Sequence, residues 1–248
     1  MGAYQARDYR VAARQGGLAA FTVRVKETDL WIQAQRDLSA EALESVLRHR
    51  RALEAYAGQR PGFLSALQPL PMDDLAPPLV RSMLAAGLAA GAGPMAAVAG
   101  AIAQAVAADL LAHSPAVAVE NGGDVYLALD REAVVGVWAG DSPLSGKLGL
   151  RVAAAAMPLA ICTSSGTVGH SLSLGRADAA TVVALDAALA DAAATVLGNR
   201  VAKQADLGPA LDWAQGVPGV RGALVILGER LAAWGEIELT PIRADKGR

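Results

Sequence analysis

The sequence contains few of the residues that build disulfides, metal cages or aromatic cores. Its 248 residues include one cysteine, Cys162, and three histidines, His49, His113 and His170. A single cysteine excludes an intrachain disulfide and a multi-cysteine zinc site, and the histidines are too scattered to predict a histidine-rich metal cage. Aromatic residues make up 4% of the chain and hydrophobic residues 53%, so small aliphatic side chains must supply most of the core.

The chain also lacks an excess of charge of either sign. Lysine and arginine number 22 against 24 acidic residues, which gives a formal net charge of -2. This balance provides no electrostatic basis for nucleic-acid binding, and together with the high apolar content it excludes intrinsic disorder. The length allows one large domain or two modest lobes. We expect a single domain over residues 1–248, with a lobe boundary in the proline-rich stretch 61–78.

The first twenty residues contain no apolar core of a secretory signal. Residues 83–108 carry no charge, and a stretch of that length is long enough to span a bilayer. However, the stretch is mostly alanine and glycine, and Gly91, Gly93 and Pro94 interrupt its middle. We therefore expect two helices joined by a glycine turn in a cytoplasmic protein, with no membrane span.

Short strands and helices are intermixed without a regular alternation, which favours an α+β fold over a doubly wound sheet. Periodicity and start signals predict helices at 39–57, 79–90, 95–112, 186–196 and 209–214. Apolar runs bounded by turn residues predict strands at 9–14, 20–25, 30–34, 116–120, 125–128, 133–139, 150–155, 159–162, 181–185, 223–227 and 231–239. The pair Gly198-Asn199 predicts the end of the fourth helix.

The run Gly91-Ala92-Gly93-Pro94 precedes a predicted helix. Free N–H groups at a helix start can hold a phosphate, and glycine lets a ligand approach the backbone closely. No Gly-Lys-Ser/Thr follows, so this is not a P-loop. A tight turn between two helices is the alternative interpretation.

The run Glu120-Asn121-Gly122-Gly123-Asp124 joins two predicted strands. Asn-Gly alone predicts a hairpin turn, but a hairpin needs neither the second glycine nor two flanking carboxylates. Glu120 and Asp124 are therefore candidates to position a ribose or a metal ion, and a plain hairpin is the alternative.

The densest group of polar side chains runs from Cys162 to His170. It follows an apolar strand and contains Ser164, Ser165 and Gly166, whose hydroxyl and N–H groups suit a nucleotide or phosphate. Cys162 and His170 are also candidates for a thiolate–imidazolium pair. The alternatives are an ordinary polar loop and an inert, buried thiol.

Asp191 and Thr195 lie four residues apart in a helix that is otherwise nearly all apolar. That spacing places the carboxylate and the hydroxyl on one helix face. A carboxylate on an apolar helix is costly unless it is paired or binds a cation, and Asp186 is better placed as the N-cap. Oxygen ligands of this kind suit Mg²⁺. The alternative is that Asp191 faces solvent.

In this order the four runs resemble the motifs of the ApbE-like superfamily. Its best-known members are magnesium-dependent flavin transferases, which move FMN from FAD onto a threonine of a partner protein. The sequences ENGGDVYL and CTSSGTVGHSLSLGRADAATVVA look closest to an uncharacterised branch beside these FAD:protein FMN transferases. The resemblance covers roughly residues 85–200 and implies a mixed α+β fold with two lobes around a central cleft.

The resemblance implies roles for individual residues. Asp191, Thr195 and the main-chain carbonyl of Ala96 match the Mg²⁺ site. FAD or FMN would be bound by the glycine-rich helix start and by two further runs, that is, by Gly91, Gly93, Asn121, Gly122, Gly123, Asp124, Ser164, Ser165 and Gly166. His170 matches a histidine that the transferases carry.

The chain departs from the transferase pattern in two places. Ala97-Val98 stands where the transferases have a Lys-Gly pair. After His170 comes Ser-Leu-Ser-Leu-Gly, without the Asp-Pro and Thr-Gly of the transferase motif. The resemblance therefore supports the fold and a cleft for an anionic ligand more strongly than FMN transfer itself.

Three functions follow as alternatives. The first is an enzyme that cleaves or transfers at a pyrophosphate with Mg²⁺, with His170 as acid or base. The second is a protein that binds the flavin nucleotide without chemistry. The third is a sulfur or acyl carrier that uses Cys162, with His170 lowering its pKa. The expected partners are a small phosphate-bearing ligand and an acceptor protein. A homodimer is left open, and neither nucleic acid nor membrane is expected.

Overall fold

The computed structural model describes residues 16–165 and 175–242 of the chain. In these residues the main feature is one eight-stranded sheet in which every neighbouring pair is antiparallel. Its strands, in spatial order, are β1 (Ala19–Val25), β2 (Thr28–Ala34), β3 (Val117–Asn121), β4 (Asp124–Ala128), β7 (Leu159–Ser164), β8 (Ala179–Ala184), β9 (Val220–Leu227) and β10 (Arg230–Gly235). Spatial order therefore follows chain order across the whole sheet.

A smaller antiparallel sheet interrupts this series after β4. It is ordered β11-β6-β5 and consists of β5 (Ala133–Gly136), β6 (Leu148–Val152) and β11 (Leu239–Pro241). Its side chains form a core with one face of the large sheet, to which Leu127, Ile161 and Leu224 contribute. The small sheet thus covers the face of the large sheet opposite to the helices.

The helices pack on the other face of the large sheet. They are α1 (Ser39–Gly58), α2 (Pro78–Ala90), α3 (Val98–Leu110), α4 (Ala187–Asn199) and α5 (Leu207–Gln215), and a 3₁₀ turn at Pro94–Ala97 precedes α3. Their core includes many alanines together with strand residues such as Val119 and Cys162. Because side chains alternate along a strand, Cys162 faces the helices while its neighbour Ile161 faces the small sheet.

The structure confirms the α+β class and most of the predicted elements. The helix–turn–helix expected in the uncharged stretch is present: α2 ends at Gly91, whose φ of 78° is left-handed, and Pro94 opens the next turn. Within the described residues no single helix meets the length and apolarity of a membrane span. The pair formed by Pro78–Ala90 and Pro94–Leu110 meets them only jointly, with a bend of 107°.

The structure corrects several of the predicted boundaries. The strand expected at 231–239 is split, because Gly235 turns with a φ of 80° and the chain then joins the small sheet. The pair Gly198-Asn199 does mark the end of the fourth helix, but the helix runs to Asn199 and not only to Val196. The strand expected at 9–14 lies outside the described residues. The proline-rich stretch joins α1 to α2. Both helices belong to the connection between β2 and β3, two strands that pair directly in the large sheet.

Candidate functional site

The helices α3 and α4 cross in antiparallel directions and exchange hydrogen bonds near their N-terminal ends. The Ala187 N–H of α4 donates to Gln104 Oε1 of α3 at 2.6 Å. The Gly100 N–H of α3 donates to Asp191 Oδ2 of α4 at 2.9 Å. Gly100 therefore lies opposite Asp191, and Gln104, four residues later, lies opposite Ala187, four residues earlier.

Gly100 makes this close crossing feasible. A Cβ at this position would lie 2.2 Å from the Ala187 carbonyl oxygen and 2.9 Å from Asp191 Cβ. The 3₁₀ turn that contains Ala96 also packs against α4. One more four-residue step along the antiparallel pair takes Gly100 to Ala96 and Asp191 to Thr195. The tertiary fold therefore brings together the elements that carry the three predicted metal ligands.

The turn between β3 and β4 contacts the start of α3, close to the crossing of α3 and α4. Asn121 Nδ2 donates to the carbonyl oxygen of Ala99 at 3.1 Å, at the start of α3. The neighbouring Gly123 lies against β7, where a Cβ would come within 2.7 Å of the Thr163 carbonyl oxygen. The second glycine of the Asn-Gly-Gly run is therefore needed for close packing between the turn and β7.

Carboxylates concentrate at this junction. Burial raises the pKa of Asp191 above its ordinary value, and the N–H groups of Gly100 and Ala99 offset part of this effect. Burial, followed by the negative charge of Asp191, raises the pKa of Asp124 well above its ordinary value, and Glu120 adds to the effect. In the described part of the chain, no lysine or arginine forms an ion pair with Asp124 or Asp191.

Asp191 also has partners within the protein, in addition to the cation that its place on an apolar helix predicts. The side chain is partly buried, and its compensating partners within the protein are backbone N–H groups in the first turn of α3. That turn carries partial positive charge because its N–H groups lack helical partners and the helix dipole points there. These donors satisfy part of the carboxylate but do not neutralise the neighbouring charge of Asp124.

The donor chemistry fits a hard cation. Asp191 offers a carboxylate, Thr195 a hydroxyl and Ala96 a main-chain carbonyl, all of which are oxygen ligands of the type that Mg²⁺ prefers. Across residues 16–165 and 175–242, no cluster of three or more His, Cys, Asp or Glu side chains could hold a metal ion. A cation here would therefore need backbone, hydroxyl or ligand oxygens in addition to carboxylates.

Cys162 lies beside the carboxylates but is inaccessible. Its side chain is fully buried, and its Sγ lies 3.6 Å from the Ala187 carbonyl oxygen. Burial and the negative charge of Asp124 raise the pKa of the thiol well above its ordinary value. A carrier or nucleophile needs an accessible thiolate, so this environment argues for the inert, packed thiol.

The structure gives Gly91 and Gly93 internal partners. The Gly91 N–H donates to the carbonyl of Gly87 at 2.8 Å, and the Gly93 N–H donates to the carbonyl of Leu67 at 3.0 Å. A Cβ at Gly93 would lie 1.7 Å from the Ala66 carbonyl oxygen. Neither N–H is available to a phosphate, which corrects the expected donor role and supports the tight-turn interpretation.

The polar run after β7 is described only in part. Ser164 lies near the last turn of α4, where a Cβ at Gly198 would be 3.9 Å from its hydroxyl oxygen. Ser164 and the partly buried Ser165 therefore stand at the same end of the sheet as Thr195. The predicted residues Gly166 and His170 lie outside the described residues.

Two residues that hold α3 against α4, outside the predicted binding groups, were missed in the sequence, Gly100 and Gln104. A glycine inside a helical pattern is a signal of close packing when nothing else explains it, and Gly100 stood in such a pattern. Nothing comparable marked Gln104, because an isolated glutamine in a helix is ordinary.

Two cavities lie away from the junction. One, of about 320 Å³, lies between α1 and α3 and is lined by Ser45, Arg48 and Asp109. The other, of about 360 Å³, lies on the opposite face of the large sheet and is lined by Leu159, Ile161 and Ile237.

Comparison with solved structures assigns the fold to a class. The flavin transferase ApbE from Vibrio cholerae matches with a TM-score of 0.54 at 12% identity, over 88% of this chain and 96% of that one. The ApbE protein of Thermotoga maritima gives 0.55 at 13% identity, over 87% and 96%. The apo flavinyl transferase ApbE of Pseudomonas stutzeri gives 0.54 at 13% identity, over 88% and 94%. The chain has the ApbE fold.

Sequence comparison then gives the family. A family model described as AbpE bacteria matches residues 10–231. A UPF0280 protein of Methanocella arvoryzae is 43% identical over 216 residues, which are 86% of this chain and 87% of that protein. A UPF0280 protein of Methanosarcina acetivorans is 44% identical over 218 residues, or 86% and 85%. The chain belongs to this UPF0280 family, a branch of the ApbE-like superfamily.

Proposed function

We propose that this protein binds a flavin nucleotide together with Mg²⁺ at the junction of α3, α4 and the β3–β4 turn, and acts on the pyrophosphate of that ligand. The observation that carries the proposal is a pair of neighbouring carboxylates, Asp124 on β4 and Asp191 on α4. Burial and mutual repulsion raise the pKa of Asp124, and among the described residues no basic side chain forms an ion pair with either group.

A cation would relieve this repulsion. Two carboxylates without a basic partner are costly when they are withdrawn from water. Asp191, with Thr195 and the carbonyl of Ala96, would hold Mg²⁺, while Asp124 lies beside them. When bound, Mg²⁺ would offset the charge of phosphate oxygens and polarise a phosphorus–oxygen bond. The solved proteins that share this fold include a flavin transferase and a flavinyl transferase, which supports a flavin nucleotide as the ligand.

The protein's own groups have defined tasks in this proposal. Gly100 and Ala99 orient the Asp191 carboxylate through their N–H groups. Ser164 and Ser165 supply hydroxyls that can donate to a phosphate or ribose. His170 is the candidate acid or base for cleavage, as the resemblance implies. The buried thiol of Cys162 has no role in the chemistry.

The decisive experiment is calorimetric titration of FAD with and without Mg²⁺. We expect wild-type protein to bind FAD in a Mg²⁺-dependent manner and Asp191→Asn to lose that dependence, because the substitution keeps the size and removes the charge. The matched control is Asp212→Asn, which removes the same charge from an exposed position on α5. Equal FAD affinity with Mg²⁺ for wild type and Asp191→Asn would refute the site.

Turnover separates an enzyme from a binding protein. Release of AMP or FMN from FAD, followed by chromatography, would establish pyrophosphate cleavage, and labelling of an acceptor protein would establish transfer. His170→Ala is expected to bind FAD normally but to lose this turnover. Tight, metal-dependent FAD binding without turnover in wild type would instead favour the binding protein, as the missing Lys-Gly and Asp-Pro pairs suggest.

A further inference from the structure

One peptide group at the start of α3 is hydrogen-bonded at both ends by side chains from different elements. The N–H of the Ala99–Gly100 peptide donates to Asp191 Oδ2 at 2.9 Å. The carbonyl oxygen of the same peptide accepts a hydrogen bond from Asn121 Nδ2 at 3.1 Å. Asn121 is the last residue of β3, and Asp191 lies in α4. The peptide group at the start of α3 therefore links the large sheet to α4.

We propose that Asn121 is a positioning residue that orients Asp191 through this shared peptide group. A peptide group is planar and rigid, so a hydrogen bond that fixes its carbonyl also fixes the direction of its N–H. Donation to the carbonyl also polarises the peptide and makes its N–H a stronger donor. A carbonyl oxygen has two lone pairs, so Asn121 can bind Ala99 without displacing a helical hydrogen bond.

The burial of Asn121 supports this role. The side chain is 8% exposed, and its amide is directed at the α3 backbone. In the flavin-binding loop that the resemblance implies, Asn121 would instead present its amide to the ligand. The inference rests on the proposed function only where it concerns metal binding, because the contact with Ala99 and its effect on Gly100 can be measured without any ligand.

The experiment uses three variants of the full chain. Asn121→Leu removes the amide at nearly constant size, and Asn121→Gln retains an amide donor. The matched control is Gln104→Leu, which removes an amide contact to Ala187 in the same helix pair but does not touch the Ala99–Gly100 peptide. If Asn121→Leu does not fold, Asn121→Ser, whose hydroxyl is too short to make the same contact, carries the same expectations.

The first measurement is hydrogen exchange of the Gly100 amide by NMR. Loss of one hydrogen bond is worth about 1 kcal/mol, so Asn121→Leu should raise the Gly100 exchange rate about fivefold. Asn121→Gln should restore much of the protection, and Gln104→Leu should affect the Ala187 amide instead. An unchanged Gly100 exchange rate in Asn121→Leu would overturn the inference.

The second measurement is calorimetric titration with Mg²⁺ alone. Asn121→Leu should weaken Mg²⁺ binding by a similar factor of about five, with recovery in Asn121→Gln and no change in Gln104→Leu. Equal weakening in Gln104→Leu would indicate general loosening of the helices and would overturn the positioning role. A wild-type protein that binds no Mg²⁺ would refute the proposed function, and the exchange measurement would then decide the inference alone.

Discussion

Gly100 touches α4 so closely that a Cβ on it would lie 2.2 Å from the carbonyl oxygen of Ala187. This contact sets the separation of α3 and α4. It also places the Gly100 N–H within 2.9 Å of Asp191 Oδ2. The geometry of the candidate site therefore depends on the absence of one methyl group, because a larger residue would force the two helices apart.

Gly100→Ala is expected to destabilise the protein by about 1–3 kcal/mol, because the new methyl group would meet backbone atoms that cannot rotate away. The free energy of unfolding, measured in urea by circular dichroism, tests this. The control is Gly208→Ala in α5, where a Cβ meets nothing within 4 Å. It should leave stability unchanged or raise it by up to about 1 kcal/mol. A Gly100→Ala protein as stable as wild type would contradict the close crossing.

The thiol of Cys162 should not react with a thiol reagent in the native protein. It is fully buried, and burial with the nearby charge of Asp124 raises its pKa, so thiolate is scarce. Titration with a chromogenic disulfide at neutral pH should detect no fast-reacting thiol in buffer. In denaturant it should detect one thiol per chain, since the sequence contains one cysteine. Rapid reaction of the native protein would revive the carrier hypothesis.

Cys162→Ser should bind FAD with Mg²⁺ nearly as well as wild type. The hydroxyl is similar in size to the thiol and can still donate to the Ala187 carbonyl or the Asp124 carboxylate. We expect the dissociation constant to change by less than about tenfold, or 1.4 kcal/mol. Cys162→Ala, which removes the donor, serves for comparison. Complete loss of binding in a well-folded Cys162→Ser protein would show that the thiol has a functional role.

Asp109 should contribute stability that depends on pH. Burial alone would raise the pKa of this carboxyl group, but hydrogen bonds from Ser45 and His49 and the charges of His49 and Arg48 outweigh it and lower the pKa below 3.8. A lowered pKa in the folded state stabilises the protein above the unfolded value, and this contribution disappears as pH falls through the folded value.

Asp109→Asn should therefore cost about 0.2–1 kcal/mol at pH 7, the range typical of solvent-exposed ion pairs. The difference from wild type should shrink below about pH 4. Urea unfolding of both proteins between pH 3 and pH 7 measures this difference. Asp212→Asn is the control, because it removes the same charge from an exposed position. A constant difference over that range would show that the ionised carboxylate is not the source of the stability.

Local patterns predicted most of the elements, and their failures have local causes. The helix of Asp191 and Thr195, the Asn-Gly-Gly turn and the glycine break after α2 follow from spacing and turn chemistry. The strand at 231–239 was predicted as one continuous element that includes Gly235. Only the structure shows that Gly235 has a left-handed φ and that a Cβ on it would lie 2.2 Å from the carbonyl oxygen of Arg221.

The glycines show most clearly what a sequence leaves open. From the sequence, Gly93 was interpreted as part of a phosphate-binding turn, Gly123 as part of a hairpin and Gly100 as an ordinary helical residue. In the structure, each of these three glycines is required because backbone from a distant segment lies against it. Close approach depends on which segments are neighbours, and a single sequence does not state that.

The sequence by itself determined the α+β class, the family resemblance and the placement of Asp191 and Thr195 on one helix face, because these depend on residue type and short spacing. Only the tertiary structure decided what compensates Asp191. Its partners are N–H groups of a helix that begins 93 residues earlier in the chain, brought to it by the antiparallel crossing at Gly100. Hydrogen bonding acts over about 3 Å in space regardless of separation in sequence, so such a pairing exists only once the chain has folded.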